Sequence, residues 1–295
     1  MRILLSGASG FVGGASFHFL SQHHQVVRLC RISRKPLENA SFVLWNPEEG
    51  RAERRDFEGF DAVIHLAGEP IFGFWTRDKK RRILNSRVVG TSFLAQVLTE
   101  LKAPPKIFFS ASAIGYYGDR GEEHLTETSS PGSNFLAEVC VAWEKASEPL
   151  EALGVRRILG RFGAVLGDGG MLAKLRLLYR LGLGGRLGEG SQWMSWIALD
   201  DLVRALSHCI EHRSIEGPVN FVSPHPIRQA EFSKWLAHTL HHPSLLALPA
   251  WLLKLLGGEA ANEILLSSAY VLPEKLLSSG FRFQHPQVDT NFISP

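Results

Sequence analysis

The chain has 295 residues, 45% of them hydrophobic, which is enough for one large domain or two closely joined ones with a substantial core. Lys and Arg number 32 and Asp and Glu 29, a net charge of +3, so the sequence sets no demand for nucleic acid or a membrane surface as partner. The three cysteines, Cys30, Cys140 and Cys209, are too scattered for a disulfide framework or a paired metal site and read as small apolar residues in a reducing compartment.

The N-terminal segment "MRILLSGASG" carries one positive charge and a short apolar run, so it reads as a strand rather than a signal peptide. The longest apolar stretch, 245–258, is broken by Pro249 and Lys254 and is a poor membrane span. The expectation is a cytoplasmic chain that acts as a monomer or homodimer.

Residues 2–6 form the first strand. Gly7, Gly10 and Gly13 follow as G-x-x-G-x-x-G, a helix is expected from Phe11 to Ser21, and "QVVRLCR" is the second strand. Strand, glycine turn, helix and strand make a βαβ unit. Such glycines let the backbone approach a pyrophosphate, and the helix N-terminus offers N–H groups and the positive end of its dipole. Gly7, Ser9, Gly10, Phe11, Val12 and Gly13 are therefore the expected cradle of a dinucleotide.

The end of the second strand selects the cofactor. An NAD site usually has an acid there for the ribose 2′-hydroxyl. Here "LCRISRK" has none and offers Arg31, Arg34 and Lys35. A guanidinium grips a 2′-phosphate that a carboxylate would repel, so NADP(H) is expected, with Arg31 as the leading contact.

"DAVIHLAGEP" is a buried strand ending at Gly68, so Leu66, Ala67 and Gly68 should line the cofactor. His65 reads as an interior histidine. A long helix is expected over 74–101, its basic start a solvated face rather than a nucleic-acid surface, because no aromatics are interleaved. Another strand, 106–113, breaks into a turn carrying Ser112, Tyr116 and Tyr117. A further strand over 154–167 ends in a glycine turn, where Gly163 is expected to contact the cofactor. A helix over 170–181 leads to a glycine-rich link with two tryptophans, which suits either a loop closing over a ligand or a packed crossover. His238 and His242 lack a third ligand, so no metal is expected. Residues 249–268 read as a pair of helices roofing a cleft.

The segments "SGASGFVG", "HLAGEPI", "ILNSRVVGT", "SASAIGYYG", "FLAEVCVAWE", "GRFGAVLGDGGMLAKL" and "LPEKLLSSGFRF" resemble, nearly end to end, the atypical extended short-chain dehydrogenase/reductases, and within them the YfcH-type epimerase-like branch. The resemblance implies an α/β fold: a Rossmann-type, doubly wound parallel sheet with a smaller C-terminal α/β substrate domain. The expected division is 1–165, with about 195–222, for the nucleotide and 166–295 for the substrate. By motif, Arg31, Leu66, Ala67 and Arg87 become cofactor contacts and Ser112 takes the place of the usual catalytic serine. Two positions depart from the branch: Ala198 in "SWIA", where relatives tend to have His, and Tyr270, where they tend to have Arg.

A deeper departure lies in "SNFLAEVCVAWEKA". The proton-exchanging Tyr-x-x-x-Lys pair of such enzymes is replaced by Phe135 and Val139. Neither moves a proton. Ser112, Tyr117 and Tyr116 are the remaining candidates, with Ser112 and Tyr117 acting as neutral donors to a carbonyl. Glu122, Glu123 and His124 suggest part of a lid, and Glu144 and Lys145 are expected to be exposed. A neutral donor suits reduction better than proton abstraction. The expected function is an NADP(H)-dependent oxidoreductase, reduction favoured, on a carbonyl or sugar-nucleotide-like small molecule. The alternative is a non-catalytic NADP(H)-binding sensor or scaffold.

Overall fold

The computed structural model describes residues 1–32, 42–242 and 246–288. Eight strands form one sheet: β1 (Arg2–Ser6), β2 (Gln25–Arg31), β3 (Phe42–Asn46), β4 (Arg51–Ala52), β5 (Ala62–His65), β6 (Ile107–Ala113), β7 (Arg156–Phe162) and β8 (Gly217–Phe221). Their order is β8-β7-β6-β5-β1-β2-β3-β4, and every pairing is parallel except that of β4 on β3. The chain therefore runs outward in both directions from β1. The switch point falls between β1 and β5, where a crevice opens beyond the carboxyl ends of the strands.

Both faces of the sheet are buried, which explains the near-continuous apolar runs of β1 and β5. Ile3 and Leu5 of β1 enter one core with Leu202, Leu206 and Cys209 of the helix Leu199–Glu211. Leu4, between them, enters the other core with Leu94 and Leu98 of the helix Arg77–Thr99. This is the alternation a strand imposes. The helices are α1 (Phe11–Leu20), α2 (Arg77–Thr99), α3 (Phe135–Lys145), α4 (Gly170–Arg180), α5 (Leu199–Glu211), α6 (Gln229–Thr239), α7 (Ala250–Ala261) and α8 (Glu274–Ser278). Among the described residues, no helix is long and apolar enough to cross a membrane.

Two helix starts have clear local causes. Thr76 Oγ1 accepts the Lys79 N–H at 3.2 Å and starts α2, three residues after the expected position. Asn134 Oδ1 accepts the Ala137 N–H at 2.9 Å and starts α3. A separate apolar cluster joins Leu172 and Tyr179 of α4 to Trp196 and to Phe232 and Leu236 of α6. The expected pair of roofing helices is α7 and a π-helical turn, Asn262–Leu266, with a break at Gly258 (φ +58°). The glycine-rich link is a packed crossover. Gly184 and Gly185 are buried, and a Cβ on Gly185 would come within 2.6 Å of the Leu246 carbonyl carbon.

Candidate functional site

The crevice is built from the ends of β1, β5 and β6. Gly7 has φ +75°, and a Cβ there would meet the Leu66 carbonyl carbon at 2.8 Å. The two strand ends touch only because this residue has no side chain. Gly10 is the N-cap of α1 and offers no side chain to the first turn. The N–H groups of Phe11, Val12 and Gly13 are those an α-helix leaves without an intrahelical acceptor. No side-chain cap occupies them, and such N–H groups are the donors an anion at a helix start meets. Phe11 turns its ring away, against Gly167, Gly169 and Gly170, where Cβ atoms would collide with it. Val12 packs into the first core. Ser9 is exposed at the turn.

Beneath the turn, Leu66 and Ala67 donate their N–H groups to Ser6 Oγ at 3.1 and 3.3 Å. With both lone pairs filled, the Ser6 proton points to His65 Nδ1 at 2.7 Å. His65 is thus the neutral Nε2–H tautomer, fully buried, with no hydrogen-bond partner for Nε2 among the described residues. Burial lowers its pKa to about 4. His65 is an interior residue that braces the floor, not a catalyst.

A pH prediction follows. The folded pKa lies below the ordinary 6.5, so the unfolded chain binds the proton more readily. Stability from His65 is complete above pH 6.5 and is lost as pH falls towards about 4, a loss of about 3 kcal/mol in all and about 2 kcal/mol by pH 5. Urea midpoints at pH 7.5 and pH 5 should separate by more in the native chain than in His65→Leu.

Arg31 stands exposed at the end of β2, with no acid anywhere in that strand. Arg34 and Lys35 lie outside the described residues. Arg87 crosses from α2 to the turn after β5. Its Nη1 donates to the carbonyls of Glu69 (3.0 Å) and Ile83 (3.1 Å), and its guanidinium packs 3.5 Å from where a Cβ on Gly68 would stand. In this geometry Arg87 braces the Leu66–Gly68 turn. Gly163 is not at the cradle. A Cβ there would strike the Ser195 carbonyl oxygen at 2.7 Å, so its bareness serves chain packing.

At the end of β6 the structure departs from sequence expectation. Tyr117 is fully buried. Its hydroxyl lies 2.7 Å from Asn220 Oδ1 and 2.9 Å from the Thr126 carbonyl, and accepts from Arg161 Nη1 at 3.0 Å. Burial, against the pull of Arg161, raises its pKa to about 12. It has no proton to offer the crevice. Tyr116 is half-buried, with the Arg161 guanidinium 3.5 Å over its ring.

Glu144, expected on the surface, is buried, while Lys145 beside it is exposed. Arg161, fully buried on β7, donates from Nε to Oε1 (2.8 Å) and from Nη2 to Oε2 (2.9 Å) of Glu144. Burial opposes the guanidinium charge, but the Glu144 carboxylate outweighs it and raises the Arg161 pKa. Ser112 Oγ then donates to Glu144 Oε1 at 2.7 Å. A hydroxyl has one proton, and this one is spent on a carboxylate. Towards a ligand Ser112 presents lone pairs. The two hydroxyls expected as neutral donors to a carbonyl are thus both bonded to protein acceptors: one is sealed and the other points inward.

The lid expectation also changes. Glu122 accepts from Arg228 (2.8 and 2.7 Å) and from Trp193 Nε1 (2.9 Å), and Arg228 lowers its pKa to about 2. Arg120 holds Glu123, and His124 stacks on Tyr270 with ring centroids 4.2 Å apart. These contacts tie the segment to the C-terminal region.

A family model for the NAD dependent epimerase/dehydratase family matches residues 3–222. The chain belongs to that family. A second model, a domain of unknown function (DUF1731), matches residues 248–291. The epimerase family protein YfhF of Bacillus subtilis is 35% identical over 98% of this chain and 96% of its own length. Among solved structures, the human epimerase family protein SDR39U1 (isoform 2) with NADPH superposes with a TM-score of 0.86 at 29% identity, over 97% of this chain and 96% of that one. A nucleoside-diphosphate sugar epimerase from Corynebacterium glutamicum gives a TM-score of 0.78 at 34% identity, over 97% of this chain and 56% of that one. The mostly parallel Rossmann-type sheet is common to them.

Proposed function

We propose that this family member is an NADP(H)-dependent oxidoreductase whose ligand meets Ser112 with a hydroxyl group. The observation that carries the reading is the pairing of an uncapped α1 N-terminus, held against a side-chain-free Gly7, with Arg31 at the acid-free end of β2. The first suits a pyrophosphate and the second a 2′-phosphate. The human relative bound to NADPH supports the same choice.

The nicotinamide, when bound, accepts or gives a hydride. This chain's part is the proton. Ser112 accepts the proton of a substrate hydroxyl as its own passes along the 2.7 Å bond to Glu144. Arg161 holds both carboxylate oxygens of Glu144 in place beside it. The carbon that loses the hydride becomes a carbonyl, and the charges balance. This direction, alcohol to carbonyl, uses the bonds as they stand. Reduction runs the same relay in reverse, the proton passing from Glu144 through Ser112 to the carbonyl.

A second reading, a non-catalytic NADP(H)-binding protein, is favoured by Phe135 and Val139 at the missing pair and by Ser112 being only 2% exposed. Both readings need the cofactor. Titration with NADPH and NADH, followed by nicotinamide fluorescence, should show clear preference for NADPH. Arg31→Ala should weaken NADPH about tenfold to a hundredfold, the loss of one charge-assisted contact, and leave NADH nearly unchanged. Binding of neither nucleotide overturns both readings. Oxidation of an alcohol that is lost in Ser112→Ala while NADPH affinity persists selects the enzyme.

A further inference from the structure

We propose that the substrate chamber is apolar and takes a hydrocarbon chain or ring bearing one hydroxyl, not a nucleotide sugar. The proposal deepens the oxidoreductase reading and rests on it for the hydroxyl alone. A cavity of about 200 Å³ lies between the loop after β5 and the roof. Phe72 and Phe74 form one wall, and Ala260, Ala261, Ile264 and Leu265 form the other. Among the described residues, no charged side chain lines it.

Both walls are tied to the first turn of α3, where the proton-exchanging tyrosine is replaced by Phe135. Trp75, next to Phe74, meets the Phe135 ring edge-on at 5.1 Å. Glu263, next to Ile264, accepts the N–H groups of Phe135 (3.2 Å) and Leu136 (2.9 Å). Both walls are thus linked to the first turn of α3, at the residue that stands in the tyrosine's place.

Phe74, on the wall of the cavity, is 70% exposed, and Trp251 and Leu255 of α7 are 67% and 71% exposed. Two lysines in the first turn of α2 are already matched. Lys79 pairs with Glu69 and Lys80 with Glu259, each at 2.8 Å, and Lys80 also lies 4.2 Å over the Phe135 ring. Lys174 Nζ stands 4.8 Å over the Phe72 ring, and one ammonium does not balance a diphosphate. A nucleoside diphosphate placed here would lose its hydration without a set of cations to replace it.

The test uses the full chain and a fluorescent apolar probe, anilinonaphthalene sulfonate, displaced by n-alkanols of four to ten carbons or by UDP-glucose. Apparent affinity should rise about fourfold per added methylene until the cavity is filled and then level off. UDP-glucose should not displace the probe. Ala261→Trp, which fills the cavity, should weaken the longer alkanols at least tenfold with NADPH affinity unchanged. Phe74→Ser, at an exposed position that folding does not need, should also weaken them. Displacement by UDP-glucose, affinity independent of chain length, or no effect of either variant overturns the proposal. So does a dimer that Phe74→Ser dissociates while alkanols leave the probe in place. The NADPH titration fails or succeeds separately, so loss of the cofactor reading is distinguishable from loss of this one.

Discussion

Arg161→Ala should lower the free energy of unfolding by about 3–5 kcal/mol, the range for removing one partner of a buried ion pair. Its guanidinium makes four kinds of contact inside the molecule: the carboxylate of Glu144, the hydroxyl of Tyr117, the Glu127 carbonyl and the Tyr116 ring. Truncation leaves the Glu144 carboxylate with the Ser112 proton as its remaining charge-stabilising side-chain contact, in a site that is 8% exposed. Water cannot replace the lost fork. Arg161→Lys should fall between, because an ammonium keeps the charge but not the two parallel bonds. The double change Arg161→Met with Glu144→Leu should recover most of the loss, since removing both charges avoids the uncompensated one. Urea midpoints of the four proteins measure this. A double variant no more stable than Arg161→Ala would mean the pair itself, not merely its balance, supports the fold. In Ser112 terms, the variants also predict a functional split. Without Glu144 the serine proton is released to face the crevice, and Ser112 becomes the donor that the sequence alone suggested.

That contrast shows what the sequence displayed and what it hid. The cradle was legible because its signal is local: apolar strand, three glycines, helix and strand follow one another without interruption. His65 was legible as interior because the strand around it is apolar on both faces. Glu144 was not, because "AWEKA" resembles a charged surface turn of helix. A signal was nonetheless present. Cys140, Trp143 and Glu144 stand at helical spacing on one buried side of α3, so Glu144 shares the face of its apolar neighbours. Likewise Arg157 and Arg161 alternate into the interior of a strand, a place where cations occur only when paired. The pairing itself was hidden, since it joins a helix to a strand that sequence spacing does not relate. Tyr117 misled for a similar reason. Its motif promised a substrate contact, but the 3-10 turn Ile114–Tyr117 points it inward, where Asn220 of β8 receives it. The strand Phe42–Asn46 carried too few residues for its pattern to stand out, yet Trp45 anchors the second core.

Gly13→Ala should abolish measurable NADP(H) binding and destabilise the chain by several kcal/mol. A methyl on Gly13 would overlap the Gly7 carbonyl oxygen, with the Gly7 carbonyl carbon 2.6 Å and the Ala8 nitrogen 3.0 Å away. These are backbone atoms, so no rotamer change relieves the clash. The helix must move off the turn, or the turn must move off Leu66. Either shift also displaces the N–H groups of Phe11, Val12 and Gly13 from the position where they face an anion. Binding and packing therefore fail together at this residue. Gly10 is the informative contrast. A Cβ there would lie 3.3 Å from the Gly7 carbonyl oxygen, a tight but adjustable contact, and its φ of −85° suits any residue. Gly10→Ala should fold nearly as the native chain does and bind NADPH more weakly, because the added methyl narrows the approach to the helix end. Thermal unfolding and nucleotide titration of the two variants separate the roles. If Gly13→Ala unfolds early but still binds, the cradle is more compliant than the close approach of its backbone implies. If Gly10→Ala binds as well as the native chain, the phosphate does not come within reach of the N-cap, and the anion site lies further along the first turn.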